Sequence, residues 1–177
     1  MSKLNKIGFG GGCHWCTEAV FQHLKGVKKV EQGWIASDKD NAMFSEAVIV
    51  HFNPEEIPLK VLVEVHLHTH KSTSKHSMRT KYRSAIYTFE NVQHDPVKTI
   101  VLELQSQFEN QLITKVIPFK EFKASGEQIV NYYKKNPAKP FCETFINPKL
   151  KLLLKKFNKY AKTDELEHLN LTENANQ

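Results

Sequence analysis

Two of the three cysteines in this chain stand three residues apart, in "GFGGGCHWCTEAVF", residues 8–21. Cys13 follows three consecutive glycines and opens a stretch with apolar residues at Cys16, Ala19, Val20 and Leu24, which is helical spacing. A cysteine at the first turn of a helix meets unpaired backbone N–H groups and the positive end of the helix dipole. Both favour thiolate over thiol, so Cys13 is expected to be nucleophilic near neutral pH. Gly10, Gly11 and Gly12 leave no side chain in the way of a substrate approaching that sulfur. Cys16 lies on the same helix face, within reach of Cys13; the alternative is a pair that only packs.

A C-x-x-C after a strand suits thiol–disulfide chemistry of the thioredoxin type. Haem attachment needs a histidine directly after the second cysteine, and Thr17 stands there. A zinc site would draw on His14, His66, His68, His70 or His76. In "HLHTH", residues 66–70, only His66 and His70 share a helix face, so exposed or capping histidines account for the run. Neither a metal nor an organic cofactor is expected.

These residues need a scaffold, and the chain has room for one. Its 177 residues, 40% hydrophobic and 25% charged, fit one domain with a real core. The net charge of +6 comes from scattered lysines, densest between Lys149 and Lys162. That stretch reads as a solvated helix face, and no nucleic-acid partner is expected. No opening run resembles a signal peptide and no stretch reaches transmembrane length, so no membrane contact and a cytoplasmic location are expected. Structural disulfides are rare there, so the three cysteines point to catalysis, metal binding or core filling rather than to a disulfide framework.

Strands are expected over residues 3–9, 27–37, 46–52, 82–89 and 113–119, and helices over 13–24, 58–68, 95–112, 126–135 and 148–160. Pro58 is placed to open the second helix. The resulting class is α+β: a single two-layer domain with a mixed β-sheet packed by helices, of ferredoxin-like or α–β roll type. It should occupy residues 1–160, with 161–177 a polar, flexible tail.

The chain resembles the A-type peptide methionine sulfoxide reductases. The likeness lies in "GFGGGCHWCTEAVFQHLKGV", "EAVIVHFNPEEIPLKVLVEVHLHTH", "KYRSAIY" and "YYKKNPAKPFCETFINPKLKLLLKKF", in that order, and covers about residues 5–157. It implies a monomer that reduces methionine-S-sulfoxide, free or in proteins, and is recycled by a thioredoxin-like dithiol. By position, Cys13 becomes the nucleophile and Glu46 the acid that protonates the departing oxygen. Tyr82 binds that oxygen, and Trp15 packs on the substrate methyl group. Attack leaves Cys13 as a sulfenic acid that a second thiol must resolve. Cys142 matches a resolving cysteine, on a segment that Pro137 and Pro140 suggest is extended. Cys16 is the alternative, or the second in a relay.

Four positions depart from the family pattern. His14 stands for a phenylalanine, Trp34 for a second oxygen-binding tyrosine, Ser77 for an aspartate and Ile129 for a histidine. His14 can add charge beside the thiolate, and an indole N–H at Trp34 can donate one hydrogen bond. His14, Trp15 and Trp34 are thus the expected substrate-facing residues. Two other readings stay open: a thiol–disulfide oxidoreductase or redox sensor using Cys13 and Cys16, and a sulfoxide-binding paralogue without turnover.

Overall fold

A run that alternates between two buried faces sits at the middle of the fold. In "SEAVIVHF", Val48, Val50 and Phe52 join one apolar cluster while Ala47 and Ile49 join another. The computed structural model describes residues 4–169. This run is β3 (Ser45–Phe52), flanked by β1 (Asn5–Gly10) and β2 (Val27–Ala36), both antiparallel to it. Beyond β1 lie β4 (Ala85–Thr88) and β5 (Lys115–Pro118), which pair in parallel; beyond β2 lies β6 (Glu121–Ala124). The order is β5-β4-β1-β3-β2-β6, a mixed sheet as the sequence leads one to expect.

The helices are α1 (His14–Gln22), α2 (Leu59–His68), α3 (Asn91–Leu104), α4 (Tyr132–Lys135) and α5 (Asn147–Lys156). Their apolar residues enter the larger cluster on one sheet face: Val20 and Phe21 of α1, Leu62 of α2, Val97 of α3, Leu150 of α5. Phe21 stacks on Phe9 of β1 at 4.6 Å, which ties α1 to the centre of the sheet. The opposite face carries the smaller cluster around Ile35 and Tyr87, covered in part by Phe89, Phe119 and Phe122.

Several elements differ from expectation for local reasons. Pro58 is the residue before α2, in extended conformation, rather than its first helical residue. Helix α3 starts at Asn91, a turn before Asp95, because the Gln93 side chain accepts from the Phe89 N–H and steers the chain into the helix early. Pro96 then lies inside the helix, where its missing N–H removes one bond. Strand β6 is short and exposed and leaves no periodic signal. It docks closely on Gly33, where a Cβ would come 2.1 Å from the Lys123 carbonyl oxygen. Only Tyr132–Lys135 of the helix expected over 126–135 is helical. Its start is set at long range by the Glu18 carboxylate, which accepts from the Asn131 and Tyr132 N–H groups at 3.0 and 3.2 Å.

The chain does not loosen at residue 160. Ala161 bridges Leu24, the Lys162 N–H donates to the His23 carbonyl at 2.8 Å, and Leu166 and Leu169 are buried. The rest of the expected tail, 170–177, lies outside the described residues. No helix among the described residues is long and apolar enough to cross a membrane.

Candidate active site

Cys13 is the residue just before the first turn of α1, its backbone extended (φ −60°, ψ 128°) and its carbonyl accepting from the N–H groups of Cys16 and Thr17. The residue is partly exposed. The neighbouring Cys16 side chain is the largest influence holding the Cys13 thiol below its ordinary range. Burial opposes this, the Trp15 N–H reinforces it, the Glu46 charge opposes it and the Cys16 N–H reinforces it. Cys16, buried, is pushed in the opposite direction: its proton is engaged by Cys13 and its own burial disfavours the thiolate. The two thiols are therefore unequal, Cys13 the more readily deprotonated of the pair.

The glycine turn ahead of Cys13 is held from both sides. His66 donates Nε2–H to the Gly10 carbonyl at 2.7 Å, and Arg79 donates to the Gly11 carbonyl at 2.8 Å. A Cβ on Gly11 would come 2.4 Å from the His70 ring, so only glycine fits there. His70 stacks on His66 at 4.2 Å across the helix face they share and hydrogen bonds the His66 carbonyl and Ser84, so these two histidines are buried and part-buried packing groups rather than the exposed or capping ones expected. Burial pushes His66 down to about 3 and His70 well below the ordinary range, so both rings are neutral buttresses. Among the described residues no group of three or more His, Cys, Asp and Glu side chains is arranged to hold a metal ion.

Glu46 is on β3, paired across the ladder with Trp34, and is only 6% exposed. Its Oε1 lies 3.3 Å from the His14 backbone nitrogen and 3.3 Å from His14 Nε2; its Oε2 lies 3.8 Å from Lys81 Nζ. His14 is buried as well, and its Nδ1 sits 2.8 Å from the Gly33 carbonyl oxygen. A carbonyl only accepts, so Nδ1 carries the hydrogen and Nε2 is left facing the carboxyl group. Trp34 meets His14 edge-on at 5.0 Å. Two of the four departures from the family pattern thus touch each other beside Glu46. Ser77 begins an exposed 3-10 turn, Ser77–Thr80.

A cleft of ≈ 410 Å³ opens over the sulfur, lined among others by Cys13, Cys16, Met78, Tyr82, Phe141 and Phe145. Tyr82 is partly buried in the loop before β4, rather than on the strand itself. One face of the Trp15 indole is covered by Tyr132, stacked at 4.1 Å, and its edge meets Phe141 at 5.3 Å. Its Nε1 is buried without a hydrogen-bond partner. Cys142 is fully buried, and its thiol, raised by burial, faces the Asn136 carbonyl at 3.5 Å. The extended segment expected around it is instead a turn and then a π-helical stretch, Cys142–Ile146, running straight into α5.

The sequence does not flag Arg79. Its guanidinium donates to the carbonyls of Gly11, Lys71, Ser74 and Tyr82, tying the glycine turn to the Tyr82 loop. Nor does it flag Lys149, expected on a solvated face and found lining the cleft. Residues joined only through the fold carry no spacing signal.

The family described as peptide methionine sulfoxide reductase matches residues 5–162. The peptide methionine sulfoxide reductase MsrA of Trichodesmium erythraeum is 34% identical over 170 residues, covering 87% of this chain and 96% of that protein. The crystal structure of reduced Mxr1 from Saccharomyces cerevisiae superposes with a TM-score of 0.70 at 24% identity, over 81% of this chain and 91% of that one. Mxr1 in complex with Trx2 gives 0.58 at 22% identity, over 71% and 84%. The chain belongs to the peptide methionine sulfoxide reductase family.

Proposed function

We propose that this chain reduces methionine-S-sulfoxide, free or in proteins, to methionine, with Cys13 as nucleophile and Glu46 as proton donor. The observation that carries the reading is Cys13 at the mouth of α1, lining the cleft, with the buried Glu46 carboxyl group 3.3 Å from the backbone nitrogen of the next residue, His14. Cys13 attacks the sulfoxide sulfur while Glu46 protonates the sulfoxide oxygen. The S–O bond of the substrate breaks, oxygen passes to Cys13, and the substrate leaves as thioether. Cys13 becomes a sulfenic acid, having given two electrons to the substrate. Tyr82, at the cleft, supplies a hydroxyl to the same oxygen, and Phe141, which lines the cleft and packs on Trp15, supplies an apolar wall for the methyl group.

We favour Cys16 as the first resolving thiol, since it lines the same cleft and the same small cavity as Cys13, with Cys142 second in a relay. Release of Cys142 needs the π-helical stretch to unwind, a feature often found at functional sites. The Mxr1–Trx2 complex supports a thioredoxin-like dithiol as the final reductant.

A second reading, disulfide exchange at Cys13 and Cys16 without sulfoxide, is favoured by the same cysteine pair. Single turnover without external reductant separates the two. At least one methionine per chain from the S epimer, none from the R epimer, and a disulfide joining Cys16 to Cys13 or, after the relay, to Cys142 in the peptide map are the expected results. A folded protein that releases no methionine from either epimer overturns the proposal.

A further inference from the structure

Lys149, on the first turn of α5, is a partly buried cation with no carboxylate beside it among the described residues. Its Nζ donates to the Thr69 carbonyl at the C-terminal end of α2. It lines the cleft and also a smaller cavity of ≈ 40 Å³ behind Cys13, shared with Cys16, Gly11, His66 and His70. Taking an ammonium group out of water without a carboxylate is costly. The groups here that can carry negative charge are the two sulfurs, and both histidines of the cavity are held neutral. The reductive step needs no cation at this place, whereas the next step must expel hydroxide from a sulfenic acid.

We propose that Lys149 is a catalytic residue for disulfide closure, giving a proton from Nζ to the hydroxyl leaving Cys13 as Cys16 attacks. The Cys16 sulfur forms the S–S bond, the Cys13 S–O bond breaks, and the oxygen departs as water. The Cys16 thiol proton replaces the one Nζ gave away, so lysine ends as it began. The sum is Cys13–SOH plus Cys16–SH giving the disulfide and water. Burial pushes the Lys149 ammonium below the ordinary lysine range, against the pull of the two sulfurs and with that of neighbouring Lys71. That is the direction a proton donor working near neutral pH needs.

This inference rests on the reductase reading only for the source of the sulfenic acid, and hydrogen peroxide supplies that acid independently. The experiment oxidises reduced wild type, Lys149→Met and Lys149→Arg with one equivalent of peroxide. Sulfenic acid is trapped with dimedone over time, and the Cys13–Cys16 disulfide is counted by mass spectrometry. Arginine keeps the charge and its donor groups but holds its protons at neutral pH, so it separates proton delivery from charge. Disulfide closure at least tenfold slower in both variants, with sulfenic acid accumulating, is the expected result. Closure at the wild-type rate in Lys149→Arg overturns proton delivery; wild-type rates in both variants remove Lys149 from the step. Lysine-dependent closure in a wild type that reduces no sulfoxide leaves this inference standing and sinks the reductase reading.

Discussion

His14 meets Glu46 twice through one oxygen: its backbone nitrogen and its Nε2 each lie 3.3 Å from Oε1. The other ring nitrogen is committed to the Gly33 carbonyl at 2.8 Å. One side chain therefore links α1, β2 and β3 around the proposed acid, and leaves Oε2 as the oxygen that faces Lys81.

His14→Phe, which restores the usual family residue, should retain S-epimer turnover but weaken the fold. Phenylalanine removes the imidazole donor from the buried Gly33 carbonyl, whose residue keeps its ladder partner Ala47, a loss of about 0.5–1.5 kcal/mol. Urea denaturation checks the stability and an epimer-resolved assay checks the activity. Unchanged stability would mean that the Gly33 contact contributes nothing.

Arg79→Met removes the donors that join the Gly11 carbonyl to the Tyr82 carbonyl. Cys13 and Tyr82 then lose their fixed separation, and small misplacements of reacting groups cost up to about a hundredfold in rate. The expected outcome is a fall of about tenfold or more in kcat/KM for methionine-S-sulfoxide, measured with dithiothreitol as reductant. A value within about twofold of wild type would contradict this role for the guanidinium.

Acid should destabilise the fold through His66. Its folded pKa is about 3, below the ~6.5 of an unfolded histidine. Between these values the unfolded chain binds the extra proton, so stability rises with pH across that window and is complete above it. At pH 4.5 the loss from this group is about 2–3 kcal/mol. Urea midpoints from pH 7 to pH 4 measure the slope, and His66→Gln should flatten it; an unchanged slope would count against a neutral, buried His66.

Local chemistry made part of this readable. Three glycines before a periodic apolar run specify a strand, a turn and a helix, so the position of Cys13 at the α1 mouth follows from neighbours in sequence. Alternation in "EAVIVHF" likewise marks β3. What was not readable depends on distant partners. The start of α4 is set by Glu18, 113 and 114 residues away from the N–H groups it accepts from. Arg79 earns its place through carbonyls from separate loops, and Lys149 through a cavity built by α1, α2 and α5. Leu166 and Leu169 looked like part of a polar tail because a few apolar residues among charged ones give no periodic face, yet both are buried.

The most direct test of the central claim compares two reactions of one variant, Glu46→Gln. Sulfoxide reduction needs a proton on the departing oxygen, whereas attack of Cys13 on a disulfide needs none. We would measure kcat/KM for methionine-S-sulfoxide and the rate of exchange of reduced protein with a small disulfide. The account predicts a loss of about a hundredfold or more in the first and less than about threefold in the second. Equal losses in both, or full sulfoxide reduction by the glutamine variant, would contradict it.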